Sequence, residues 1–343
     1  MEALKNKVFK KCQGIFPAWR DVSIDRFEFD PPKGFSTFTM GVRALDPIEP
    51  PAVLYRHLEG KENAILDYGT EKSLFLKLGE ESIAAHCHHY DDTCRIESFY
   101  PGRTLAAEDV YDHATLRKIG EQLHRFHQLK PENLPSETFF ELLHRKWGEQ
   151  AKEIVVNKRH VFPDNEAQMC EKLEELFSEE TIAKVRRCLP DEEPVFCHND
   201  TYHGNIMKLN DGGAIKLLDF EFSCLNYRAF DFSNLFAETV MKHGQDDYPY
   251  FHIGEPEYTI LELEVLINAY LDHSEFGDAA QREREFTSLF KSTQSLIMLS
   301  DYMYSMAALP LALEPIQKIR FIPYAFQRFS KFLLSFDERF PAG

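Results

Sequence analysis

His198-Asn199-Asp200-Thr201-Tyr202-His203-Gly204-Asn205 is a polar loop set directly behind a short apolar stretch, Pro194-Val195-Phe196-Cys197. A second apolar stretch, Ala214-Ile215-Lys216-Leu217-Leu218, runs straight into Asp219-Phe220-Glu221, whose aspartate lies fourteen residues after Asn205. Short apolar runs bounded by polar, glycine-containing turns read as buried strands. Two such strands, each ending in a polar loop, let the oxygens of Asp200, Asn205 and Asp219 converge on one point. The plainer reading is that His198 and Asp200 cap a turn and Asp219 ends a strand. Strand context before the H-x-D-x4-N match, and a strand ending in Asp-Phe after it, favour the shared-task reading.

That spacing is the one found in kinase catalytic loops, and phosphoryl transfer explains the residue types. An aspartate accepts or orients the proton of the attacking hydroxyl. An asparagine and a second aspartate hold Mg²⁺ against the nucleotide phosphates. On this reading Asp200 is the base, Asn205 and Asp219 are metal ligands, and ATP is the co-substrate.

A nucleotide-binding part is then expected upstream. Gly34-Phe35-Ser36-Thr37 is a turn between two predicted strands, where Ser36, Thr37 and backbone N–H groups suit a phosphate, although a plain hairpin needs the same residues. Arg56 sits in the strand where kinases carry a phosphate-binding lysine, and Glu71 in the following helix is its candidate partner, with a surface salt bridge as the alternative. Arg95-Ile96-Glu97-Ser98-Phe99 is placed where a hinge backbone meets adenine, so Glu97 and Phe99 enter the site by position alone.

The surrounding pattern divides the chain. Short runs at 26–29, 35–42, 52–58, 82–85 and 95–100 read as strands, with a helix over 65–78. Pro101-Gly102-Arg103 breaks the pattern. Beyond it Ile119, Leu123 and Phe126 repeat at helical spacing within 107–128, and helices are predicted at 136–156, 166–188, 258–273, 282–308 and 323–336. The expected fold is α+β and two-lobed, protein-kinase-like. It has a small antiparallel nucleotide-binding lobe at 1–98, a hinge at 99–103 and a large α-rich catalytic and substrate lobe at 104–343. Gly244-Gln245-Asp246-Asp247 reads as a mobile loop over the substrate mouth.

With these residues in view the chain resembles the choline/ethanolamine kinase family, within the wider aminoglycoside-phosphotransferase-like group. The likeness is carried by Phe196 to Asp200, Gly204-Asn205-Ile206, Leu218 to Ser223, and Asn226-Tyr227-Arg228-Ala229-Phe230-Asp231-Phe232-Ser233-Asn234. Weaker likeness runs through Val53 to Gly60 and through Tyr324-Ala325 to Arg328-Phe329. The resemblance implies ATP- and Mg²⁺-dependent phosphorylation of a small amino alcohol, the first step of the family's route to phosphatidylcholine, with Glu221 serving the metal through water or a second ion. Gly204-Asn205 and Tyr248-Pro249-Tyr250-Phe251 look more like choline kinases than ethanolamine kinases. The family usually carries tryptophans in a late helix, where this chain has Leu299-Ser300-Asp301-Tyr302-Met303-Tyr304. The resemblance therefore assigns the cation pocket to Tyr304 and Tyr324, with Glu238 and Asp301 supplying negative charge, and such a pocket also accepts ethanolamine's N–H donors. The alternatives are an ethanolamine kinase, another small-alcohol or aminoglycoside phosphotransferase, or an inactive kinase-fold binding module.

Composition agrees in class. The 343 residues carry 39 Lys and Arg against 56 Asp and Glu, a formal charge of −17, which argues against nucleic-acid or anionic-lipid binding and suits a cationic substrate. No uninterrupted apolar run approaches the ~18 residues needed to span a bilayer, and the first residues lack the apolar core of a signal peptide. Seven scattered cysteines read as reduced thiols, so a cytoplasmic enzyme is expected, with its oligomeric state, a homodimer included, left open. His86-Cys87-His88-His89 with Cys94 has the right elements for zinc but matches no usual closed site, and Cys197 reads as a buried strand residue rather than a nucleophile.

Overall fold

In Ala52-Val53-Leu54-Tyr55-Arg56-His57 the alternation of a strand sends Val53 and Tyr55 into the core and turns Arg56 to the other face. That strand is the middle of the first of two compact units in the computed structural model, which describes residues 1–32, 38–58, 65–314 and 319–341. One unit comprises Met1–Arg103 with Leu209–Gly212; the other comprises Thr104–Lys208 and Gly213–Gly343.

The first unit contains α1 (Glu2–Ile15), β1 (Phe27–Phe29), β2 (Thr39–Ala44), β3 (Ala52–His57), α2 (Tyr68–Glu80), β4 (Cys87–Tyr90) and β5 (Cys94–Ser98), with β6 (Gly102–Thr104) at its end. The five strands from β1 to β5 form an antiparallel sheet in the order β1-β2-β3-β5-β4. Val8, Phe9 and Cys12 of α1 pack with Trp19, Phe27, Met40, Val42, Val53, Tyr55 and Ile96 in one core. Trp19 is fully buried and its indole N–H donates to the carbonyl of Pro50 at 3.1 Å, so the large ring leaves no unsatisfied donor. α2 contributes Leu74, Phe75 and Leu78, and Asp67 caps its N-terminus by accepting from the Thr70 amide.

The second unit holds α3 (His113–His127), α4 (Phe139–Leu143), α5 (Glu149–Lys152), α6 (Asp164–Leu173), α7 (Glu179–Cys188), β7 (Val195–Cys197), β8 (Ile206–Leu209), β9 (Ile215–Leu217), β10 (Cys224–Asn226), α8 (Arg228–Ala237), β11 (Met241–His243), β12 (Phe251–Ile253), α9 (Ile260–Leu271), α10 (Ala279–Ala308) and α11 (Phe321–Arg339). α10 is packed by α8 on one side and α11 on another, and α3 lies against α9. The α3–α9 approach depends on Gly120, where a Cβ would lie 2.8 Å from the Leu266 carbonyl oxygen and 3.0 Å from the Tyr270 nitrogen. Backbone cannot swing aside as a side chain can. Gly120→Ala is therefore expected to destabilise the protein by about 1–3 kcal/mol despite alanine's better helix propensity. A denaturant midpoint equal to or above wild type would show that the two helices separate freely.

Several expectations need correction. α1 was not foreseen. Residues 82–85 are not a strand: Ser82 turns with a positive φ of 58°, and the strand begins at Cys87. The helix expected over 136–156 runs unbroken from Phe139 to Asn157, but α4 and α5 alternate in it with wider π-type turns. The span 166–188 breaks at Ser178, which caps α7 by accepting from the Thr181 amide. Gly244 to Asp247 do form a loop, in the connection of a hairpin whose strands β11 and β12 pair antiparallel. The start of the 35–42 strand, with Ser36 and Thr37, lies outside the described residues.

All seven cysteines are free thiols, and six are buried. The cluster suspected of metal binding takes a different form, with His89, Asp91 and Cys94 bringing ligand atoms within 4.8 Å. Asp91 there accepts from Lys11 and from the amides of Thr93 and Cys94, which makes it the hub of a turn. By length and composition the span Ala279–Leu313, built on α10, would suffice to cross a membrane, but 67% of its apolar window is buried in the protein.

Candidate active site

β7 and β10 pair antiparallel, setting Cys197 opposite Cys224 and Val195 opposite Asn226, and the loop 198–205 leaves the end of β7. Asn199 turns the chain with φ of 66°, a left-handed conformation that asparagine tolerates better than most residues. Its side chain is locked from both ends. The Asn226 amide donates to Asn199 Oδ1 at 2.7 Å, and Asn199 Nδ2 donates to the Phe222 carbonyl at 2.9 Å.

One carboxylate holds the loop backbone. Asp231 of α8 is fully buried and accepts from the amides of His198 at 2.8 Å and Asn199 at 2.7 Å, and from His127 Nε2 of α3 at 2.9 Å. Its own carbonyl accepts from the Thr201 hydroxyl at 2.5 Å. Burial of this charge is tolerable because every donor is aimed at it. His198 in turn donates from Nε2 to the Leu218 carbonyl at 2.8 Å and accepts the Asp200 amide at Nδ1, 3.3 Å away. Burial lowers its pKa, so it is the neutral imidazole these partners require. His198 is thus a loop brace that reaches across to the second strand.

The second strand closes the site. The Leu218 amide donates to the Asn205 carbonyl at 2.8 Å, which sets Asp219, itself in a left-handed turn at φ of 61°, next in chain to Asn205's partner. Asn205 Nδ2 donates to Asp200 Oδ2 at 2.7 Å and to the Asp200 carbonyl at 3.0 Å, so its Oδ1 is the atom suited to a cation. Tyr304 of α10 donates to Asp200 Oδ1 at 2.5 Å. Asp200 is pushed up to about 8, first by burial and then by the negative charges of Asp219, Glu221 and Glu238, while the Tyr304 hydrogen bond pulls it down. Asp219 and Glu221, which raise the proton affinity of Asp200, and the Asn205 amide oxygen are oxygen donors of the kind a hard divalent cation takes.

Glu238, Asp301, Tyr304 and Tyr324 also come together, but around a resident cation. Arg328 of α11 is fully buried. It donates to Asp301 Oδ1 at 2.7 Å, to Glu238 Oε1, and to the Tyr324 hydroxyl at 3.1 Å. Its guanidinium lies 5.0 Å from the Tyr304 ring centroid and 5.3 Å from that of Tyr324. Lys331 adds a second cation 3.4 Å from Asp301 Oδ2. The two acids therefore enter this region as parts of a neutralised cluster, not as bare carboxylates.

In the first unit the expected nucleotide residues form a buried charge array. Arg56 Nε is 3.8 Å from Glu97 Oε1, Arg95 Nε is 3.4 Å from Glu97 Oε2, and Arg95 also reaches Glu71 at 4.0 Å. The Arg95 guanidinium lies 3.5 Å from the Phe75 ring centroid, while Phe99 is covered by Arg43 at 4.6 Å. Arg95, read from sequence as hinge backbone only, supplies the side chain between the two acids.

Sequence reasoning assigned no task to Asp231, His127, Asn199, Asn226 or Arg328. A usable signal existed for two of them. Asp231 is the one charged residue among the buried residues of α8, and Arg328 stands among Phe321, Phe329, Phe332 and Phe336 of α11. Neither pattern is comfortable unless the charge has a buried partner.

A family model described as choline/ethanolamine kinase matches residues 34–333. A Rattus norvegicus choline/ethanolamine kinase is 27% identical over 248 residues, covering 69% of this chain and 60% of that protein's own length. A probable choline kinase of Arabidopsis thaliana is 28% identical over 286 residues, covering 78% of this chain and 76% of the relative. Among solved structures, a choline kinase from Cryptosporidium parvum superposes with a TM-score of 0.76 at 20% identity, covering 97% of this chain and 95% of that one. The α+β, protein-kinase-like fold expected from the catalytic loop is the fold these similarities give.

Proposed function

The chain belongs to the choline/ethanolamine kinase family, and from that premise we propose that it transfers the γ-phosphoryl group of ATP to the hydroxyl of choline. The observation that carries the reading is Asp200, held between Asn205 and Tyr304 with Asp219 and Glu221 close enough to raise its proton affinity. Asp200 accepts the proton as the alcohol O–H bond breaks. The alcohol oxygen forms the new bond to γ-phosphorus, and the bond from γ-phosphorus to the bridging oxygen breaks to release ADP. Asn205, Asp219 and Glu221 would hold Mg²⁺, which when bound neutralises the phosphate charge. Ser36, Thr37, Arg56, Glu71, Glu97 and Phe99 are the proposed contributors to ATP binding from the first unit, and the cytoplasm the proposed location.

Tyr304 and Tyr324 are the proposed walls of the acceptor site. Both rings already face a guanidinium, which supports a surface compatible with a cationic head group. One observation favours ethanolamine as a second acceptor. Arg328 takes much of the negative charge of Glu238 and Asp301, so an acceptor able to donate hydrogen bonds to the tyrosine hydroxyls gains relative to a quaternary ammonium. Steady-state ADP release measured with choline, ethanolamine, an aminoglycoside and a sugar tests the reading. An amino alcohol should exceed the other acceptors in kcat/KM by about 100-fold or more, the scale set by unpaired polar groups in a mismatched site. Turnover of neither amine would overturn it.

A further inference from the structure

We propose that Tyr304 is the positioning residue of the base, its hydroxyl fixing one oxygen of Asp200 while Asn205 fixes the other. The inference rests on Asp200 being the base and goes beyond that reading by giving the base a dedicated partner outside its own loop. Tyr304 Oη lies 2.5 Å from Asp200 Oδ1, and Asn205 Nδ2 lies 2.7 Å from Oδ2. With a donor on each oxygen, the plane of the carboxylate is set before any acceptor arrives. A carboxylate oxygen has two lone-pair directions, so Oδ1 can still accept the alcohol's O–H beside the phenol. Asp200 and Tyr304 are both only part-buried, which leaves them a side open to an acceptor.

Tyr304 is itself held in place. Asn234 Nδ2 of α8 stands 3.4 Å from its hydroxyl, and Asn234 Oδ1 accepts from the Ser300 hydroxyl at 2.6 Å. Ser300 precedes Tyr304 by four residues on α10, so the helix presents both to the same neighbour. Arg328 packs against the ring. The phenol's own pKa is driven well up by burial and by the negative charge of Asp200, so it stays protonated. It can donate to the carboxylate but cannot take the alcohol's proton, which leaves Asp200 as the acceptor. A hydrogen bond to the anion also favours the anion, so the contact opposes the burial that raises Asp200.

Tyr304→Phe deletes the donor and keeps the ring. We expect kcat to fall roughly 10–100-fold, the scale of a lost positioning contact. KM for the amine and for ATP should both stay within about twofold while kcat falls, and the melting temperature should match wild type, the split expected of a lost positioning contact and not of lost binding or folding. Tyr304→Trp, which keeps an aromatic face without that hydroxyl, should show the same loss in kcat. A kcat within about twofold of wild type in Tyr304→Phe would overturn the proposal, as would a loss carried by KM alone. Wild-type protein inactive on both amines would overturn the proposed function instead.

Discussion

Asparagine in place of Asp200 is expected to lower kcat by about 10²–10⁴-fold, the range over which a positioned general base acts. The substitution is nearly isosteric, so the loop held by Asp231 and His198 should keep its place, and the loss should fall on kcat more than on KM. The amide has no site for the alcohol's proton at neutral pH. A stability measurement separates this from misfolding. Asp200 is pushed up to about 8 in the folded protein, against an ordinary unfolded value near 3.9. The folded state therefore holds that proton more tightly than the unfolded chain. The stability it brings is complete below about pH 4 and is lost as pH rises through 8. Above that range the ionised carboxylate opposes folding, and Asp200→Asn should melt at or above the wild-type temperature. Retained turnover would show that another group is the base; a markedly lower melting temperature above pH 8 would show that the carboxylate is better accommodated than its neighbours imply.

Arg328→Met should be the most destabilising single change in the Glu238–Asp301 cluster, at about 3–5 kcal/mol, the usual result of removing one partner of a buried ion pair. The guanidinium has no exposed surface and serves Asp301, Glu238 and Tyr324 together. Burial alone already raises Glu238, and Arg328 is the chief influence holding it down. Without that cation Glu238 must either take up a proton or move. Asp301 retains Lys331 at 3.4 Å and should suffer less. Calorimetry should record a fall in Tm on the order of 10 °C. Adding Glu238→Gln and Asp301→Asn should recover most of it, since a neutral polar cluster has no charge left without a partner. A single variant that melts like wild type would mean that water or relaxation already compensates the acids.

What could be read from the chain follows the range of the interactions involved. That Asp200, Asn205 and Asp219 share one neighbourhood was legible because they lie within one short stretch of strands and loops, where spacing and turn chemistry are local. α1 was missed because its buried face is only Val8, Phe9 and Cys12, in a stretch otherwise rich in lysine. The break at Ser178 was missed because the acidic, amphipathic run on both sides keeps helical spacing while a single cap interrupts it. The braces are longer in range still. Asp231 meets His127 from 104 residues away, and Arg328 meets Glu238 from 90, so no periodicity records either contact. Tyr304, Tyr324, Glu238 and Asp301 were found as a group, but the cation at their centre was not, because sequence supplies a list of charges and no account of which ones meet.

The bracing of the catalytic loop bears on how such an enzyme changes its preferences. Asp231 on α8 and His127 on α3 hold the loop, whereas the acceptor-side cluster is carried by α10 and α11 with Glu238 just past α8. Under the proposed assignment, the chemistry and the choice of alcohol sit on largely separate pieces of backbone. Substitutions on α10 and α11 that leave the buried Arg328 cluster intact could then accumulate without displacing Asp200. Position 304 is where that independence ends, because Tyr304 Oη touches Asp200 itself. A lineage drifting toward another alcohol would be held at Arg328 by stability, and at position 304 would meet an immediate penalty in rate.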